Sequence, residues 1–423
     1  MKNLASLVFT LITLVGLTIT TVLYGDGWRL NLGREKTQDT ITRAPIVIKT
    51  GMLAVRSMPD GAKVYIDNKL ETATDDTITS LSPGKYSLRI EKEGFETWEK
   101  NVDVYSELVT DITAVLVLQS PRLDPLTNTD VKAYALSSNQ NNIAFLTKNH
   151  KEPGIWILPL TGSPLNLFRN NSRLLIEDTP FATPSLGKSV WWSPDDKEVL
   201  VQMNKTGYFL YATNNQGKTN ILPQSFTDIG STHARWQAKW AEDFLQDKLE
   251  QITSELDAPE KVLAKAAEAK WSRDDEKFFF YDKSTDNPNE TSVYVYNAED
   301  PLPVGEQRLY ETYRIENSEL TSIYWYSDSY HLVIVEQESE DSQHYTISMI
   351  RIDGTNMTPI YNGYLASNQS YPPPTADKIL VLPALTENSP MNIYGISFTY
   401  FLFYNSLISL FFPGCLQQLG RDN

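Results

Sequence analysis

Short stretches in which apolar and polar residues alternate run through the chain beyond residue 50. In the stretch KVYIDNK, Val64 and Ile66 fall on one side of an extended backbone, whereas Lys63, Tyr65 and Asp67 fall on the other. Alternation with a period of two residues predicts strands that bury one face. Clusters of Pro, Gly, Asn and Asp separate these stretches, as expected for turns. The pattern predicts an all-β fold.

Residues 50–120 contain at least five of these predicted strands. Alternating apolar positions mark them: Leu53 and Val55; Tyr86, Leu88 and Ile90; Val102 and Val104; Ile112, Ala114 and Leu116. The strand at Val64 is entered through a tight turn, in which Pro59 presets φ and Gly61 accepts a positive φ. Strands and turns at this spacing predict a small β-sandwich of about 70 residues.

The same segment resembles the PEGA domain, a small bacterial surface-associated β-sandwich named for a Pro-Glu-Gly-Ala turn. The turn here is Pro59-Asp60-Gly61-Ala62, with Asp at the acidic position, and the stretches VYIDNK, LSPGKYSLRI and EGFETW follow it in order. The resemblance implies a structural role for the turn and a location outside the cytoplasm.

A second pattern, a polar turn of the Ser-x-Asp kind followed by an apolar strand, recurs after Pro121. It occurs five times, in YALSSNQNNIAFLT (134–147), WWSPDDKEVLVQM (191–203), KWSRDDEKFFFYD (270–282), IYWYSDSYHLVIVE (323–336) and PPPTADKILVLPA (372–384). A second apolar strand follows most copies, as in 155–160, 208–213, 292–297 and 345–354. We expect the Asp side chains to cap the turns by accepting hydrogen bonds from nearby backbone N–H groups.

The spacing of these copies, 56, 79, 55 and 48 residues, is typical of β-propeller blades of about four strands each. The copies resemble TolB-like and WD-type blades, and WSPDDKEVL matches them best. Residues 122–397 are long enough for about six blades. We expect Trp192 and Trp325, like most of the 31 Tyr and Trp residues, to lie in the core.

The longest interval contains a predicted helical insertion at residues 241–269. Leu245, Leu249, Ile252 and Leu256 recur at helical spacing before Pro259 interrupts the run. Eight acidic and three basic side chains occupy the segment. It is interpreted as a helical cover over a propeller edge, and the alternative is an acidic surface that docks a partner.

The N-terminal segment, residues 1–24, is predicted to be a membrane anchor. Leu4–Leu23 is a run of twenty residues without a charge, enough for a helix to cross a hydrocarbon core of about 30 Å. A cleaved signal peptide is one alternative, although its apolar region is usually only about 7–15 residues long. A buried helix is the other. Residues 25–49 are polar and are interpreted as a juxtamembrane linker.

Charge alone leaves the orientation of the anchor open. Only Lys2 precedes the apolar run, whereas Arg29, Arg34, Lys36 and Arg43 follow it, and this bias favours a cytoplasmic domain. Long domains often translocate regardless of flanking charge. Together with the PEGA resemblance, this predicts a single-pass protein of the cell membrane with the bulk of the chain extracytoplasmic.

The C-terminal segment, residues 398–423, is an apolar tail that departs from the propeller pattern. From Ile393 to Phe412 the chain carries no charge. Two interpretations stay open: a second membrane span, or a terminal strand followed by an atypical tail.

A search for catalytic, cofactor or metal motifs is negative. The net charge of −16 argues against nucleic-acid binding, and the single cysteine, Cys415, cannot form an intrachain disulfide. His150, His233, His331 and His344 lack metal-ligand spacing. Asp282, Ser284, Asp286 and Glu290 lie within one loop, but the loop lacks the glycine and spacing of a calcium loop, so it is interpreted as a solvated hairpin loop.

The predicted function is therefore non-catalytic. The sequence predicts no catalytic, metal or cofactor-binding residues, and the ligand-binding residues are unknown. The propeller is expected to recognise a protein or glycan partner in the cell envelope, with the membrane contacted through Leu4–Leu23. The alternative is a hydrolase that uses the propeller as a platform for envelope peptide or glycan substrates.

Overall fold

The structure, a computed structural model, describes most of the chain. The described residues are 2–25, 27–30, 34–37, 40–43, 47–139, 141–148, 151–160, 172–203, 207–214, 224–226, 229–240, 269–283, 291–340, 342–366, 378–383 and 391–398. They form an all-β fold with two helices, as the alternating pattern predicts. The chain divides into two compact units, residues 1–116 with 300–307 and 401–423, and residues 117–299 with 308–400.

Helix α1 (Lys2–Gly25) and a β-hairpin begin the first unit. No helix in the part of the chain that the structure describes is both long and apolar enough to cross a membrane. The segment interpreted as a linker contains β1 (Trp28–Leu30), β2 (Arg34–Thr37), β3 (Thr40–Arg43) and β4 (Val47–Lys49), in which β1 pairs with β4 and β2 with β3. Because its polar and charged residues show no period of two, the sequence pattern did not predict this hairpin.

Residues 51–115 form the predicted pair of small sheets. One sheet has the strand order β10-β9-β6-β7, and the other has the order β11-β5-β8, with β11 parallel to β5. The strands are β5 (Gly51–Met58), β6 (Lys63–Ile66), β7 (Lys69–Ala73), β8 (Asp76–Leu81), β9 (Gly84–Glu91), β10 (Trp98–Val104) and β11 (Val109–Val115). The predicted inward positions are buried, except Tyr86, which is half-buried.

The tight turn before β6 is built around Gly61, which has a φ of +67°, as predicted. Buried hydroxyl groups hold the turn in place. The hydroxyls of Ser57 and Thr74 lie 2.6 Å apart, Ser57 donates to the carbonyl of Pro59, and the Thr74 hydroxyl accepts from the amide of Ala62. The turn therefore anchors the start of β6 to the core of the unit.

Replacing Gly61 with Val is expected to destabilise the first unit by about 1–3 kcal/mol, because a β-branched residue resists a positive φ. Hydrogen exchange of the β6 and β5 amides in the full chain would measure this loss. Lys63→Val is the matched control, since it places Val at an exposed strand position. Equal protection in the two variants would contradict this account of the turn.

The described residues of the second unit form five antiparallel sheets, four of them four-stranded meanders. Sheet 1 comprises β13 (Val131–Leu136), β14 (Asn142–Thr147), β15 (Gly154–Pro159) and β16 (Arg173–Glu177). Sheet 2 comprises β17 (Ser189–Trp192), β18 (Glu198–Gln202), β19 (Tyr208–Ala212) and β20 (Gln224–Phe226). Sheet 3 comprises β21 (Lys270–Trp271), β22 (Lys277–Lys283), β23 (Thr291–Asn297) and β24 (Leu309–Ile315). Sheet 4 comprises β25 (Thr321–Trp325), β26 (His331–Gln337), β27 (His344–Arg351) and β28 (Thr358–Tyr364).

Sheet 5 joins the two ends of this unit. Its strands are β29 (Lys378–Val381), β30 (Tyr394–Ser397) and β12 (Arg122–Pro125), in the order β12-β30-β29. Strand β12 comes from the N-terminal end of the unit, and β29 and β30 come from its C-terminal end. Their pairing brings together segments that are far apart in the sequence.

Apolar side chains between neighbouring sheets form the core of the second unit. One buried cluster joins sheets 1 and 5, a second joins sheets 1 and 2, and a third joins sheets 3 and 4. The rings of Tyr326 and Phe398 connect sheets 4 and 5, with centroids 5.8 Å apart. Five sheets are described where about six blades were predicted, and a closed ring is not seen among the described residues.

Helix α2 (Ile229–Trp240) packs on sheet 2. The side chain of Trp236 is buried against Leu200, Tyr208 and Leu210, and its indole N–H donates to the Glu198 carboxylate at 3.0 Å. This helix precedes the predicted insertion 241–269, which lies outside the described residues except for Ala269. The predicted tail 398–423 also lies outside them, apart from Phe398.

Candidate functional site

The recurring Ser-x-Asp turns join the first two strands of each four-stranded sheet. In sheet 2, the Ser193 hydroxyl donates to the Asp195 carboxylate at 2.8 Å and accepts from the amide of Glu198. The turns of sheets 1 and 3 repeat the hydroxyl contact, through Ser137 with Asn139 and through Ser272 with Asp274. The Asp195 and Asp274 carboxylates also accept from the backbone amides of Lys197 and Glu276, at 3.3 and 3.1 Å, so the predicted capping role is confirmed.

The turns also connect neighbouring sheets. The carboxylate of Asp196, in sheet 2, accepts hydrogen bonds from the amides of Ser138 and Asn139 in sheet 1, at 2.6 and 3.0 Å. Between sheets 3 and 4, the Ser329 hydroxyl accepts from the amide of Asp274 at 3.3 Å. A residue at the same position of the turn thus reaches back to the preceding sheet in both places.

Two tryptophans make a parallel connection deeper in the sheets. The indole N–H of Trp192 donates to the Ala135 carbonyl at 3.0 Å, and that of Trp325 donates to the Lys270 carbonyl at 2.7 Å. Trp325 is buried as predicted, whereas Trp192 is half-buried. In both places a Trp of one sheet binds a backbone carbonyl of the preceding sheet. Neighbouring sheets are therefore joined by the Trp contacts as well as by the Ser-x-Asp turns.

Replacing Asp196 with Asn is expected to loosen the joint between sheets 1 and 2 by about 1 kcal/mol, because an amide N–H₂ would face one of the two backbone donors. Asn retains the tolerance for the positive φ of +56° at this position. Faster hydrogen exchange at the amides of Ser138 and Asn139 would show the effect. Lys197→Ala, at an exposed neighbour, serves as control, and unchanged exchange in Asp196→Asn would contradict the proposed coupling.

A group of ionisable side chains lies at the Ser-x-Asp turn of sheet 3 and the corresponding turn of sheet 4. The side chain of Lys277 is fully buried, with its ammonium 2.6 Å from the Glu299 carboxylate and 3.2 Å from that of Asp274. The same ammonium lies 4.2 Å from the ring centroid of Tyr330, whose hydroxyl donates to Glu299 at 2.7 Å. We call Asp274, Lys277, Glu299 and Tyr330 the Lys277 cluster.

The chemistry of the Lys277 cluster is that of an internal ion network. Carboxylate oxygens of Asp274, Glu276 and Glu299 lie within 4.8 Å of one another, and no other such group of His, Cys, Asp and Glu occurs among the described residues. The Lys277 ammonium already contacts two of these carboxylates, so it compensates the charge that would attract a cation. The group therefore fits a structural role better than a metal site.

A buried Asp–His pair adjoins this cluster. Nδ1 of His331 lies 2.6 Å from the carboxylate of Asp328, which also accepts from the amides of Tyr330 and His331. Burial opposes ionisation of Asp328, but the charge and hydrogen bond of His331 and the two backbone donors outweigh it, so the pKa of this carboxyl lies below its usual value. The pair orders the turn between β25 and β26.

At the opposite edge, the loop between sheets 1 and 2 presents an aromatic side chain to solvent. Phe181 is 86% exposed, and Leu186 on the same loop is 53% exposed. Hydrogen bonds fix the loop: Thr179 and Ala182 exchange both backbone bonds, and the Asp178 carboxylate accepts from the amide and hydroxyl of Ser185. A side chain carried on a backbone that is fixed in this way is suited to binding, since ordering the loop costs little entropy.

The residues singled out from the sequence are dispersed. His331 is buried in the pair with Asp328, His344 stacks edge-on against Tyr364, and His233 lies in α2. His150 lies outside the described residues, as does the part of the loop Asp282–Glu290 that follows Lys283. Neither Lys277 nor Phe181 was singled out, because a turn lysine and a loop phenylalanine carry no distinctive sequence signal.

The comparison with protein families concerns the first unit. A family model described as PEGA domain matches residues 50–120, the segment whose turn, strands and burial are given above. This segment is a PEGA domain. Its match covers the small sheets and leaves the second unit outside it, so the PEGA domain by itself does not define the function of the whole chain.

Solved structures resemble a larger part of the chain. A putative TolB from Agrobacterium tumefaciens is 15% identical, with 65% of this chain and 84% of that chain covered and a TM-score of 0.23. TolB from Acinetobacter baumannii is 12% identical, with coverages of 74% and 60% and a TM-score of 0.26. The β-propeller domain of Cps50 (Swd1) from Myceliophteria thermophila is 8% identical, with coverages of 66% and 100% and a TM-score of 0.34.

These likenesses to TolB and WD-type propellers accompany the four-stranded sheets described above. Their low identities and TM-scores carry no argument about activity or partner. A comparison with curated proteins found no match.

Proposed function

We propose that the protein is a non-catalytic binding scaffold of the cell envelope, in which a β-propeller-like second unit recognises a protein partner. The observation that carries the proposal is the loop that holds Phe181 almost fully exposed by a set of internal hydrogen bonds. Aromatic side chains in rigid settings are the usual anchors of protein interfaces. The PEGA domain supports a location in the envelope, and the meander sheets support the propeller architecture.

Site-specific photocrosslinking tests this proposal. A benzoylphenylalanine in place of Phe181 is expected to give a discrete adduct with a protein in cells, because the loop contacts the partner directly. Tyr364 is a matched control position, since it is also an exposed aromatic side chain at 59% exposure but lies in sheet 4. Adducts of equal yield at both positions, or none at Phe181, would contradict a partner surface at this loop.

A second measurement separates binding from folding. The crosslinker at Leu186 should lose its adduct when Phe181 is replaced by Ser, while thermal unfolding stays within about 0.5 kcal/mol, as is usual for an exposed side chain. Retention of the adduct would show that Phe181 contributes no binding energy.

The absence of catalysis is part of the proposal. Within the Lys277 cluster the ammonium and the carboxylates contact each other, and within the Asp328–His331 pair the carboxylate contacts the ring nitrogen. These internal contacts support structural roles. The purified chain is expected to show no turnover of peptide, ester, phosphate or glycoside substrates. Turnover abolished by replacing one Asp, Glu or His, with the fold intact, would favour the hydrolase alternative.

We also propose that Leu4–Leu23 anchors the chain in a membrane, with the PEGA domain and second unit extracytoplasmic. The uncharged run of twenty residues supports this proposal. The membrane fraction should retain the protein after carbonate extraction, and protease added to intact cells should leave a membrane-bound N-terminal fragment. Release by carbonate would contradict the anchor, and protection of the bulk would reverse the orientation.

A further inference from the structure

A turn of the PEGA domain exposes apolar side chains beside the hairpin that follows α1. Tyr105, Leu108 and Val109 are 43%, 46% and 41% exposed. Tyr105 and Leu108 lie in the connection between β10 and β11, and Val109 lies on the exposed face at the start of β11. We call these three side chains, which fall within five successive residues, the apolar patch.

Hydrogen bonds fix this turn to the end of the hairpin. The amide of Glu107 donates to the carbonyl of Thr50 at 3.0 Å, and the amide of Met52 donates to the carbonyl of Leu108 at 3.0 Å. The ammonium of Lys49, the last residue of β4, forms an ion pair with Glu107. The apolar patch therefore borders the last residues of the hairpin.

The hairpin in turn begins directly at the end of α1. The amide of Gly27 donates to the carbonyl of Tyr24 at 3.3 Å, and the amide of Thr50 donates to the carbonyl of Gly27 at 3.0 Å. Trp28 pairs with Lys49 across β1 and β4, and the Lys49 ammonium lies 5.1 Å from the centroid of the indole ring. A continuous series of contacts thus connects the helix end with the exposed patch.

The charge of this region differs from that of the whole chain. Residues 26–49 carry five basic and three acidic side chains, within a chain whose net charge is −16. A locally basic segment between an apolar helix and an exposed apolar patch matches the surface of a bilayer that contains anionic lipids, since such surfaces bind apolar and basic side chains together.

We propose that this region, which we call the hairpin base, lies in the headgroup layer of the bilayer and fixes the PEGA domain against the membrane; it comprises Trp28, Lys49, Tyr105, Leu108 and Val109. The inference rests on the proposed anchor, because α1 brings the hairpin base to the bilayer surface. Trp and Tyr rings favour this layer since one end is apolar and the other forms hydrogen bonds. The partner of this surface is the lipid bilayer itself.

Fluorescence of single-cysteine variants tests the placement in the full chain. Cys415 is replaced by Ser, and an environment-sensitive NBD label is attached at Leu108→Cys or, as a second position, at Tyr105→Cys. Leu70→Cys is the matched control, because Leu70 is 54% exposed on β7 of the same domain and does not belong to the hairpin base. The protein is incorporated into vesicles of equal parts phosphatidylcholine and phosphatidylglycerol.

The proposal expects the label at residues 105 and 108 to be quenched several-fold more by headgroup nitroxide lipids than the label at residue 70. Iodide in the aqueous phase should show the opposite order. Equal quenching at all three positions, in protein that resists carbonate extraction from the vesicles, would overturn the placement while leaving the anchor intact. Failure to incorporate into the vesicles would refute the anchor, and the placement with it.

Discussion

Replacing Lys277 with Met is expected to lower the free energy of unfolding of the second unit by about 3–5 kcal/mol, the usual cost of removing one partner from a buried ion pair. The side chain of Lys277 is fully buried and that of Glu299 is only 13% exposed. Without the ammonium, the Glu299 carboxylate keeps the Tyr330 hydroxyl but loses its compensating charge. Thermal unfolding followed by calorimetry should show a melting temperature lower by roughly 10 °C.

A double variant separates the charge from the packing. Lys277→Met combined with Glu299→Gln removes both charges, and it should recover much of the lost stability because a neutral pair carries no uncompensated buried charge. Lys197→Met, at a side chain 76% exposed in the corresponding turn of sheet 2, should change stability by no more than about 0.5 kcal/mol. If the Lys277→Met variant were as stable as the wild type, the Lys277 cluster would not stabilise the contact between sheets 3 and 4.

Replacing Asp328 with Asn is expected to cost about 1–3 kcal/mol, because it removes a charged acceptor that is hydrogen-bonded to the buried His331 ring and to backbone amides. The pH dependence gives a second signature. The folded pKa of Asp328 lies below the usual value of 3.8, so the ionised carboxyl stabilises the fold above that value. This stabilisation is lost as the pH falls below about 4 through the lowered pKa.

Unfolding by denaturant between neutral pH and acid would measure both effects. The wild-type free energy of unfolding should fall more steeply below about pH 4 than that of Asp328→Asn, since the variant has no carboxyl to protonate at this position. Asp282→Asn, at an exposed residue at the end of β22, controls for general charge effects. Parallel pH curves for the wild type and Asp328→Asn would contradict the assigned pair.

The sequence predicted those features that depend on local pattern. Alternation at Leu53, Val55, Leu88 and Ile90 placed buried strand faces correctly, because a period of two is imposed by strand geometry itself. The Gly61 turn was also readable, since few residues accept a positive φ. The Ser-x-Asp turns were also predicted, because their capping hydrogen bonds join residues that are close in the sequence.

Features that depend on tertiary contact were missed. The sequences of strands β1 to β4 show no apolar–polar period of two, and α2 packs on sheet 2 through Trp236. The sequence gives no sign that Lys277 is buried, because lysine is ordinarily exposed. Nor does the stretch DTPFATP reveal that Phe181 points into solvent.

The pairing of β12 with β30 constrains the order in which the second unit can form during synthesis. Arg122 lies opposite Ser397. Strand β12 therefore cannot pair with β30 until almost the entire unit has been synthesised. Until then the apolar side chains of sheet 1 that pack on Leu380 and Ile393 have no complete neighbour. Such distant pairing slows folding, and a nascent chain that stops before residue 394 leaves this apolar surface available to chaperones or to aggregation.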